Sequence, residues 1–295
     1  MIAVDWGGSS LRAYRLGADG AILEQRRSDR GALSCDGRFA EVLASQLEGW
    51  DDTRIMLCGM VGGRGGWKEV PYVECPAGAR EIAAGIVRLE SEAAAFAGRD
   101  LRIVPGMIDG DSSPAADVMR GEETLIVGAL DRLGSGSHSI CLPGTHSKWV
   151  MVHDGSIASI RTAMTGEAYA LFRSHSVLAR LMPTDEPPLD IAAFEAGLRR
   201  SGDPGGLLHH LFGVRTMGLL GRLSETQSPA YLSGLLIGHE IREQGLRPTC
   251  VHLIGNTHLQ ALYAHALEAF GIEVLRHSED LAASGLHRLA RLVSP

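Results

Sequence analysis

Alternating apolar and polar positions at the start of the chain predict a β-meander. Ile2 and Val4 begin it, alternation continues over residues 11–16, and residues 21–25 form a third apolar stretch. A period of two is typical of strands with one buried face. The first two stretches are separated by Asp5-Trp6-Gly7-Gly8-Ser9-Ser10, whose glycines allow a tight turn with uncovered backbone N–H groups. The segment predicts an anion-binding turn with a cation beside Asp5, although an ordinary surface hairpin is the alternative from this stretch alone.

The same order of elements recurs past the middle of the chain. An apolar stretch at residues 140–142 leads into Pro143-Gly144-Thr145-His146-Ser147-Lys148, and two further strands follow at residues 149–153 and 156–161. The repetition predicts two α/β domains, each built on a three-stranded meander, with their polar turns facing one cleft. The acidic, Pro/Gly/Ser-rich stretch of residues 105–117 predicts the boundary between them, which gives domains of residues 1–113 and 114–295.

Helical periodicity and short apolar runs account for most of the remaining chain. The loop of residues 59–78 is too rich in glycine for a regular element. Strands are predicted at residues 54–58, 101–104 and 251–254. Helices are predicted at residues 39–50, 79–96, 121–133, 166–181, 191–200, 206–223, 229–244 and 259–270.

Composition excludes several classes of protein. A net charge of −7 over 295 residues argues against a nucleic-acid partner, because phosphate binding needs a basic face. The sequence has no apolar run long enough for a membrane span, and it opens on a strand signal. Its five cysteines form no C-x-x-C pair and predict reduced thiols in a cytoplasmic protein. The histidines lack the spacing of a zinc site.

The two turns, together with a later strand-glycine-helix junction at residues 253–257, resemble the actin, sugar-kinase and heat-shock ATPase superfamily. The resemblance implies two actin-like (ribonuclease H-like) α/β domains with a nucleotide cleft between them. In such proteins the two turns bind the phosphates of ATP, and the later junction binds adenosine. On this chain that implies Gly255 and Asn256 as adenosine-binding residues.

Within the superfamily the chain resembles the 2-dehydro-3-deoxygalactonokinase family over nearly its full length. The matching segments are IAVDWGGSSLRAY, CGMVGGRGGWKEVPYVECPAG, DVMRGEETLIVGAL, LPGTHSKWVMV, RTAMTGE and YLSGLLIGHEI. The resemblance implies ATP-dependent phosphorylation of the 6-hydroxyl of 2-dehydro-3-deoxy-D-galactonate, in galactonate catabolism. The alternatives are a kinase for another sugar or sugar acid on the same scaffold and a non-catalytic actin-like sugar sensor. The epimer preferred stays open, as does a homodimer.

The resemblance also implies the phosphate-binding residues. Asp5 would hold Mg²⁺, directly or through water. The phosphate-binding residues would be Gly7, Gly8, Ser9 and Ser10 in the first turn and Gly144, Thr145, His146 and Lys148 in the second. Arg12 could contact a phosphate or be a surface arginine, and Lys148 could carry charge to the phosphates or face solvent.

A kinase of this kind needs a carboxylate that takes the proton from the attacking hydroxyl. The superfamily carries an acid at the start of the helix before the second phosphate turn, where this chain has Arg120-Gly121-Glu122-Glu123-Thr124. Related sugar kinases usually have aspartate there. Glu122 is favoured slightly, with Glu123 and Glu167 as alternatives. Acids in a first helical turn are also favoured by the helix dipole, which would explain at least one of them without catalysis.

The glycine-rich loop of residues 59–78 is expected to cover the sugar acid. A carboxylate substrate requires a cation or several N–H donors. Lys68, one of only two lysines in the chain, and Arg64 are the candidates in this loop, and Arg161 is the candidate from the other domain. The remaining expected substrate residues are Gly62, Gly63, Trp67 and Glu167. For Trp67, packing within the lid is an equal alternative to stacking on substrate.

Overall fold

A computed structural model describes residues 1–90, 93–110, 115–245 and 249–293. The predicted domain boundary at residue 113 lies outside the described residues. Contacts within the chain divide it into two compact units. Unit 1 comprises Met1–His138, Val150–Ile160 and His277–Pro295, and unit 2 comprises Ser139–Trp149 and Arg161–Arg276. Within the described residues, no helix is both long enough and apolar enough to cross a membrane.

The elements of the described residues follow the predicted alternation of meanders and helices. The strands are β1 (Ile2–Trp6), β2 (Leu11–Leu16), β3 (Ile22–Ser28), β4 (Arg54–Gly59), β5 (Val73–Glu74), β6 (Val87–Leu89), β7 (Asp100–Ile103), β8 (Met107–Asp109), β9 (Asp117–Met119), β10 (Ser137–Leu142), β11 (Ser147–His153), β12 (Ser156–Ala163), β13 (Cys250–Ile254) and β14 (Glu273–His277). The α-helices are α1 (Phe39–Gln46), α2 (Ala79–Ala84), α3 (Glu122–Leu133), α4 (Thr165–His175), α5 (Ile191–Arg200), α6 (Gly206–Leu219), α7 (Ser228–Glu243), α8 (Thr257–Ala269) and α9 (Leu281–Leu292).

The two large sheets repeat one strand order. The first runs β3-β2-β1-β4-β7-β6 and the second β12-β11-β10-β13-β14. In each, the third strand of a meander lies at the edge, and the first strand pairs in parallel with a later strand, β1 with β4 and β10 with β13. A small third sheet has the order β5-β8-β9. The predicted duplication of a three-stranded meander is therefore confirmed.

Unit 1 has an aliphatic core on its sheet, closed by α1 and by aromatic side chains including Trp6 and Trp50. Helices α3 and α9 pack closely because each has a glycine that lies against the backbone of the other helix. A side-chain carbon added to Gly128 would collide with the Leu281 carbonyl, and one added to Gly285 would collide with the Thr124 carbonyl. This contact fixes the first turn of α3.

Unit 2 has its own core around α7, whose residues are nearly all buried. Helices α5 and α7 approach in the same way, because Gly197 faces the Tyr231 carbonyl and Gly234 faces the Phe194 carbonyl without room for a side chain. Larger residues at either glycine would separate the two helices.

One predicted helix is wrong, and several elements were not predicted. The helix expected over residues 79–96 ends at Ala84, since Gly85 lies against Val73 and Pro105, and Val87–Leu89 pairs antiparallel with β7 as an edge strand. The amphipathic helix α9 and the strand β14 were missed, as were the short strands β5, β8 and β9. Strand β5 lies in the loop of residues 59–78, where no regular element was predicted. The other predicted elements are confirmed to within a few residues at their ends, except that the predicted helix over 166–181 ends at His175 and continues as a 3₁₀ turn over Val177–Leu181.

Candidate active site

Asp5 lies at the carboxyl end of β1, beside the equivalent end of β4. In register it is opposite Cys58 of β4 and opposite Arg12 of β2. Gly59 follows Cys58 with φ of +91°, and a side-chain carbon there would come within 2.6 Å of the Trp6 carbonyl oxygen. A glycine is therefore required where β4 leaves the sheet, and the two strand ends form one polar edge.

The Asp5 carboxylate forms an ion pair with the Arg12 guanidinium. Arg12 Nη1 donates to Asp5 Oδ2 at 3.2 Å, and Nη2 of the same guanidinium pairs with Glu279 Oε2 at 2.9 Å. Burial raises the pKa of Asp5, and the Arg12 charge opposes that shift. Arg12 thus lies between two carboxylates and orients Asp5.

Glu122 and Glu123 begin α3 at the same edge of the unit 1 sheet. Gly121 precedes them with φ of +111°, and a side-chain carbon there would lie 3.2 Å from the Gly59 Cα, so the start of the helix abuts the end of β4. Glu122 is partly exposed, and its Oε2 accepts from the Arg120 backbone N–H at 3.0 Å. Both acids are held by the backbone that enters the helix.

Glu123 is fully buried. Its Oε2 accepts from the Gly121 N–H at 2.7 Å, and its Oε1 lies 2.9 Å from the Thr124 hydroxyl oxygen. Burial, followed by the neighbouring Glu122 charge, raises the pKa of Glu123 to about 8. The side chain therefore carries a proton at neutral pH, while Glu122 is partly exposed.

The Cys58 thiol joins Asp5 to the start of α3. Its Sγ lies 3.9 Å from Asp5 Oδ1. Burial raises the pKa of this thiol well above its usual range, and the charges of Asp5 and Glu123 add to the shift. The side chain is therefore a neutral thiol packed between the carboxyls. Sequence reasoning missed it, because the parallel pairing of residues 5 and 58 is a tertiary contact that no local pattern shows.

The first predicted phosphate turn is supported by a segment that sequence reasoning also missed. The Ala32 N–H donates to the Gly7 carbonyl at 2.9 Å, and the Leu33 N–H donates to the Gly8 carbonyl at 3.1 Å. A side-chain carbon added at Gly31 would collide with the Gly8 carbonyl. Residues 31–33 thus fix the carbonyl groups of the turn by hydrogen bonds, and Ser9 is left exposed.

In the glycine-rich loop, Trp67 packs into unit 1. Its ring stacks on Phe39 at a centroid distance of 6.2 Å and meets Trp6 edge-on at 6.5 Å. These contacts favour the packing role of Trp67 over stacking on substrate. Lys68 Nζ donates to the Arg88 carbonyl at 3.0 Å, whereas the Arg64 side chain is exposed.

Gly62 and Gly63 lie against the side chain of Arg120. A carbon added at Gly62 would be 3.2 Å from Arg120 Nη1, and one at Gly63 would be 3.6 Å from its Cδ. Gly62 therefore leaves room for a guanidinium that sequence reasoning did not single out, whereas Gly63 lies at ordinary van der Waals distance from the Arg120 side chain.

The second predicted phosphate turn lies on the start of α4, within unit 2. Gly166 has no room for a side chain, because an added carbon would be 2.5 Å from the Gly144 carbonyl oxygen. The Glu167 N–H donates to the Thr145 carbonyl at 2.9 Å, and Glu167 Oε2 lies 2.5 Å from His146 Nε2. Helix α4 therefore fixes the turn, and Glu167 is engaged with the turn's histidine.

Lys148 is buried and does not face solvent. Only 7% of the residue is exposed, and its Nζ donates to the Thr162 hydroxyl at 2.7 Å. The solvent-facing alternative for Lys148 is wrong. Arg161, on the neighbouring strand β12, is exposed and donates through Nη1 to the Gln244 carbonyl at 3.2 Å, directly after α7.

A buried polar network involves the strand β11, which follows the second predicted phosphate turn. Glu240 accepts from Trp149 Nε1 at 2.7 Å and from the Tyr263 hydroxyl at 2.6 Å, and Tyr263 also bonds to Ser147 at 2.8 Å. Burial raises the pKa of Glu240, and the bonds from Tyr263 and Trp149 oppose the shift. The network ties β11 to α7 and α8, and it was not foreseen from the sequence.

The predicted adenosine residues cap α8. Asn256 Oδ1 accepts from the His258 N–H at 2.8 Å, and the Gly255 carbonyl accepts from Gln260 Nε2 at 2.7 Å. Asn256 is therefore the N-cap of α8, and the first residues of that helix are exposed to solvent.

A largely apolar pocket of about 330 Å³ lies beside this helix start, within unit 2. It is lined by Gly144 of the second turn, by Leu259 and Leu262 of α8, and by Pro188 and Pro229. Its volume and apolar character are those of a small-molecule site. Sequence reasoning missed the proline-rich wall of this pocket.

The residues present fit a magnesium ion carried by a nucleotide better than a resident metal. Among the residues that the structure describes, no group of three or more His, Cys, Asp or Glu side chains could hold a metal ion. Mg²⁺ is commonly bound by one or two carboxylates together with substrate phosphates and water. A single carboxylate, as at Asp5, is enough for such a site.

Known proteins match the chain over its whole length. The profile of the 2-keto-3-deoxy-galactonokinase family matches residues 5–289. A curated relative from Rhizobium meliloti (strain 1021), named "Probable 2-dehydro-3-deoxygalactonokinase DgoK1", is 38% identical over 99% of this chain and 97% of its own length. The 2-dehydro-3-deoxygalactonokinase of Escherichia coli (strain K12) is 36% identical over 99% of this chain and 98% of its own length.

Solved structures agree with the predicted fold. A crystal structure from Sinorhizobium meliloti, of a protein assigned as a 2-dehydro-3-deoxygalactonokinase, has a TM-score of 0.91 at 38% identity and covers 100% of this chain and 97% of that one. The activator of 2-hydroxyisocaproyl-CoA dehydratase from Clostridium difficile has a TM-score of 0.51 at 11% identity, covering 99% of this chain and 95% of that one. The second likeness concerns the fold alone, and the predicted actin-like α/β fold is confirmed. Full-length similarity to both named kinases and to the family profile means that this chain belongs to the 2-keto-3-deoxy-galactonokinase family, a family of sugar-acid phosphotransferases with an alcohol group as acceptor.

Proposed function

We propose that this chain transfers the γ-phosphoryl group of ATP to the 6-hydroxyl of 2-dehydro-3-deoxy-D-galactonate, in galactonate catabolism. The family and the names of the two curated relatives support the reaction and the substrate. The structural observation that supports it most is that Asp5 and Glu122 lie at one edge of the unit 1 sheet, where Cys58 is opposite Asp5 in register and hydrogen-bonds to Thr124 in the first turn of α3. Phosphoryl transfer needs such a pair, one carboxylate for the cation and one for the proton.

Glu122 is the proposed general base, because it is partly exposed and a hydroxyl group can approach it. Its hydrogen bond from the Arg120 N–H orients the carboxylate. Glu123 is the alternative base, but it is fully buried and its oxygens are engaged by Gly121 and Thr124. We therefore assign Glu123 a positioning role, in which its neutral carboxyl keeps a second negative charge away from Glu122.

ATP is the proposed phosphoryl donor, with its adenosine in the apolar pocket beside α8, next to Gly255 and Asn256. The pocket's size and its continuity with Gly144 support this assignment. Gly144, Thr145, His146 and Lys148 are proposed to bind phosphate oxygens in the second turn, and Gly7, Gly8, Ser9 and Ser10 in the first. That the two turns face one cleft stays a prediction.

Asp5 is proposed to hold Mg²⁺, which neutralises phosphate charge when it is bound. The Arg12 guanidinium keeps the carboxylate oriented, with Glu279 fixing the other side of that guanidinium. Because Asp5 is the single proposed protein ligand, the ion should depend on the nucleotide for its retention.

The loop of residues 59–78 is proposed to cover the sugar acid, with Gly62 and Gly63 at its base. Arg64 is exposed and Lys68 is bound to a carbonyl, so either cation would have to move to reach a substrate. For the other proposed substrate residues, Trp67 would act by shaping the loop, and Arg161 and Glu167 would act from unit 2.

A cytoplasmic location and a homodimer complete the proposal. All five cysteines are free thiols, which supports a reducing compartment. Analytical ultracentrifugation of the purified chain tests the dimer, since a single species with the mass of one chain would contradict it.

The proposed activity is tested by coupled ADP release across a panel of 2-keto-3-deoxy sugar acids. We expect ADP only when sugar acid and Mg²⁺ are both present, with the galactonate-derived acid preferred over its gluconate-derived epimer. Preference for a different sugar or sugar acid would indicate another kinase specificity on the same scaffold. Absence of ADP with every acid tested would refute the proposal.

A further inference from the structure

Arg120 has buried hydrogen-bond donors without acceptors. Its Nη2 donates to the Val70 carbonyl at 2.7 Å, but Nε and Nη1 are buried and have no partner among the described residues. An arginine cannot shed its charge, so its unsatisfied donors in a buried place are costly. A buried polar group of this kind calls for a ligand that completes its bonding.

The surroundings of the guanidinium belong to the proposed sugar-acid loop. Its Nη1 lies next to Gly62, where only a glycine leaves room, and its plane lies over the Tyr72 ring at 4.4 Å from the centroid. The neighbouring acid, Glu122, bonds to the backbone N–H of Arg120. The same residue therefore contacts the loop through its side chain and the proposed base through its backbone.

The chemistry of these donors selects an anion with planar, paired acceptors. Nε and Nη1 point in different directions, but each is adjacent to Nη2, which keeps a second hydrogen besides the one donated to Val70. A carboxylate can therefore accept two parallel N–H···O bonds from Nη2 and one of these donors, which adds direction as well as attraction. Tyr72 covers the guanidinium and is 41% exposed, so its ring is the side chain that a ligand would displace. Lys68 is a weaker candidate because its ammonium already bonds to the Arg88 carbonyl.

We propose that Arg120 binds the C1 carboxylate of the sugar acid and thereby selects acids over neutral sugars. The inference rests on the proposed function, since it assigns the residue that recognises the substrate's charge. It makes Arg120 a specificity residue, with Gly62 providing space for it and Tyr72 closing over it.

The experiment compares the sugar acid with its C1 amide, which keeps the hydroxyls and loses the charge. The readout is the ratio of kcat/KM for the acid to that for the amide. We expect Arg120→Lys and Arg120→Met to lower this ratio by about 10- to 100-fold, as expected for a lost charge-assisted hydrogen bond. A purely structural role would lower both values alike and leave the ratio unchanged.

Arg26→Lys is the matched control. Arg26 also lies over an aromatic ring, Trp50 at 4.2 Å, and donates to the backbone carbonyls of Gln46 and Glu48. Its variant should leave the acid-to-amide ratio unchanged. A collapse of the ratio in Lys68→Met or Arg64→Met, with Arg120→Lys normal, would overturn the inference and move the carboxylate site into the loop.

Two further measurements keep the test decisive. If the Arg120 variants do not fold, NMR of the native chain replaces them. The Arg120 Nε–H resonance should then shift when the acid is added and not when the amide is added. A resonance that does not move with the acid would overturn the inference. If the native chain phosphorylates no sugar acid, the proposed function fails on its own. The Arg120 site is then tested with pyruvate against pyruvamide by NMR titration, where equal or absent binding would overturn it.

Discussion

Replacing Glu123 with glutamine should make the stability of unit 1 less dependent on pH. The Gln amide keeps an acceptor for the Gly121 N–H and an N–H group for the Thr124 hydroxyl, so the packing of α3 is preserved. Burial raises the pKa of Glu123 from 4.5 to about 8. The folded state therefore retains a proton that the unfolded chain releases. The contribution of Glu123 to native stability is full below about pH 4.5 and is lost as the pH rises toward 8.

The size of the effect follows from the two pKa values. Between about pH 5.5 and pH 8 the native chain should lose about 3 kcal/mol of unfolding free energy relative to Glu123→Gln. Other acids with raised pKa values, including Asp5 and Glu240, are present in both proteins, so their effects cancel in the difference. Urea unfolding followed by tryptophan fluorescence measures it, because Trp6, Trp50 and Trp67 lie in unit 1.

Glu41→Gln is the control, since Glu41 is an exposed acid in the first turn of α1. Its stability curve should run parallel to that of the native chain. If the Glu123→Gln curve is also parallel, Glu123 is ionised in the folded protein, and its assignment as a neutral positioning residue is refuted.

Three further predictions concern catalysis. Asp5→Asn should sharply reduce Mg²⁺-dependent turnover and leave the fold intact, because Arg12 keeps its ion pair with Glu279. Unchanged activity across a Mg²⁺ titration would show that Asp5 is not part of the site. Glu122→Gln keeps an acceptor for the Arg120 N–H but cannot take a proton, so kcat should fall by about 10²–10⁴-fold. Binding of ATP and of the sugar acid, measured by calorimetry, should be nearly unchanged, and normal turnover would contradict the assignment. Leu262→Trp fills the apolar pocket and should raise KM for ATP far more than KM for the sugar acid, whereas equal effects would exclude adenosine from that pocket.

Local sequence patterns predicted the framework of the fold. The glycine turns at residues 7–8 and 144 interrupt period-two alternation, which is a signal carried by neighbouring residues, and both meanders formed where they were expected. The helix over residues 79–96 failed because the partner of Val87–Leu89 is β7, more than ten residues away. An apolar run at an edge strand cannot be told from a helix by periodicity alone.

The polar partners of the site could not be read from the sequence. Glu279 and Arg12 are joined across 267 positions of the chain, and Arg120 meets Val70 and Tyr72 only when the glycine loop folds back on it. Single arginines carry no pattern in a chain in which 26 of the 28 basic residues are arginine. Only tertiary contact distinguishes a guanidinium with buried, unpartnered donors from its surface neighbours.

The proposed reaction phosphorylates one defined hydroxyl group, so the identity of the product that the native chain forms is the decisive measurement. After incubation with ATP, Mg²⁺ and 2-dehydro-3-deoxy-D-galactonate, ³¹P–¹H correlation NMR should show a phosphomonoester coupled to the two C6 protons. A phosphate coupled to any other carbon's proton, or inorganic phosphate without a sugar ester, would contradict the claim.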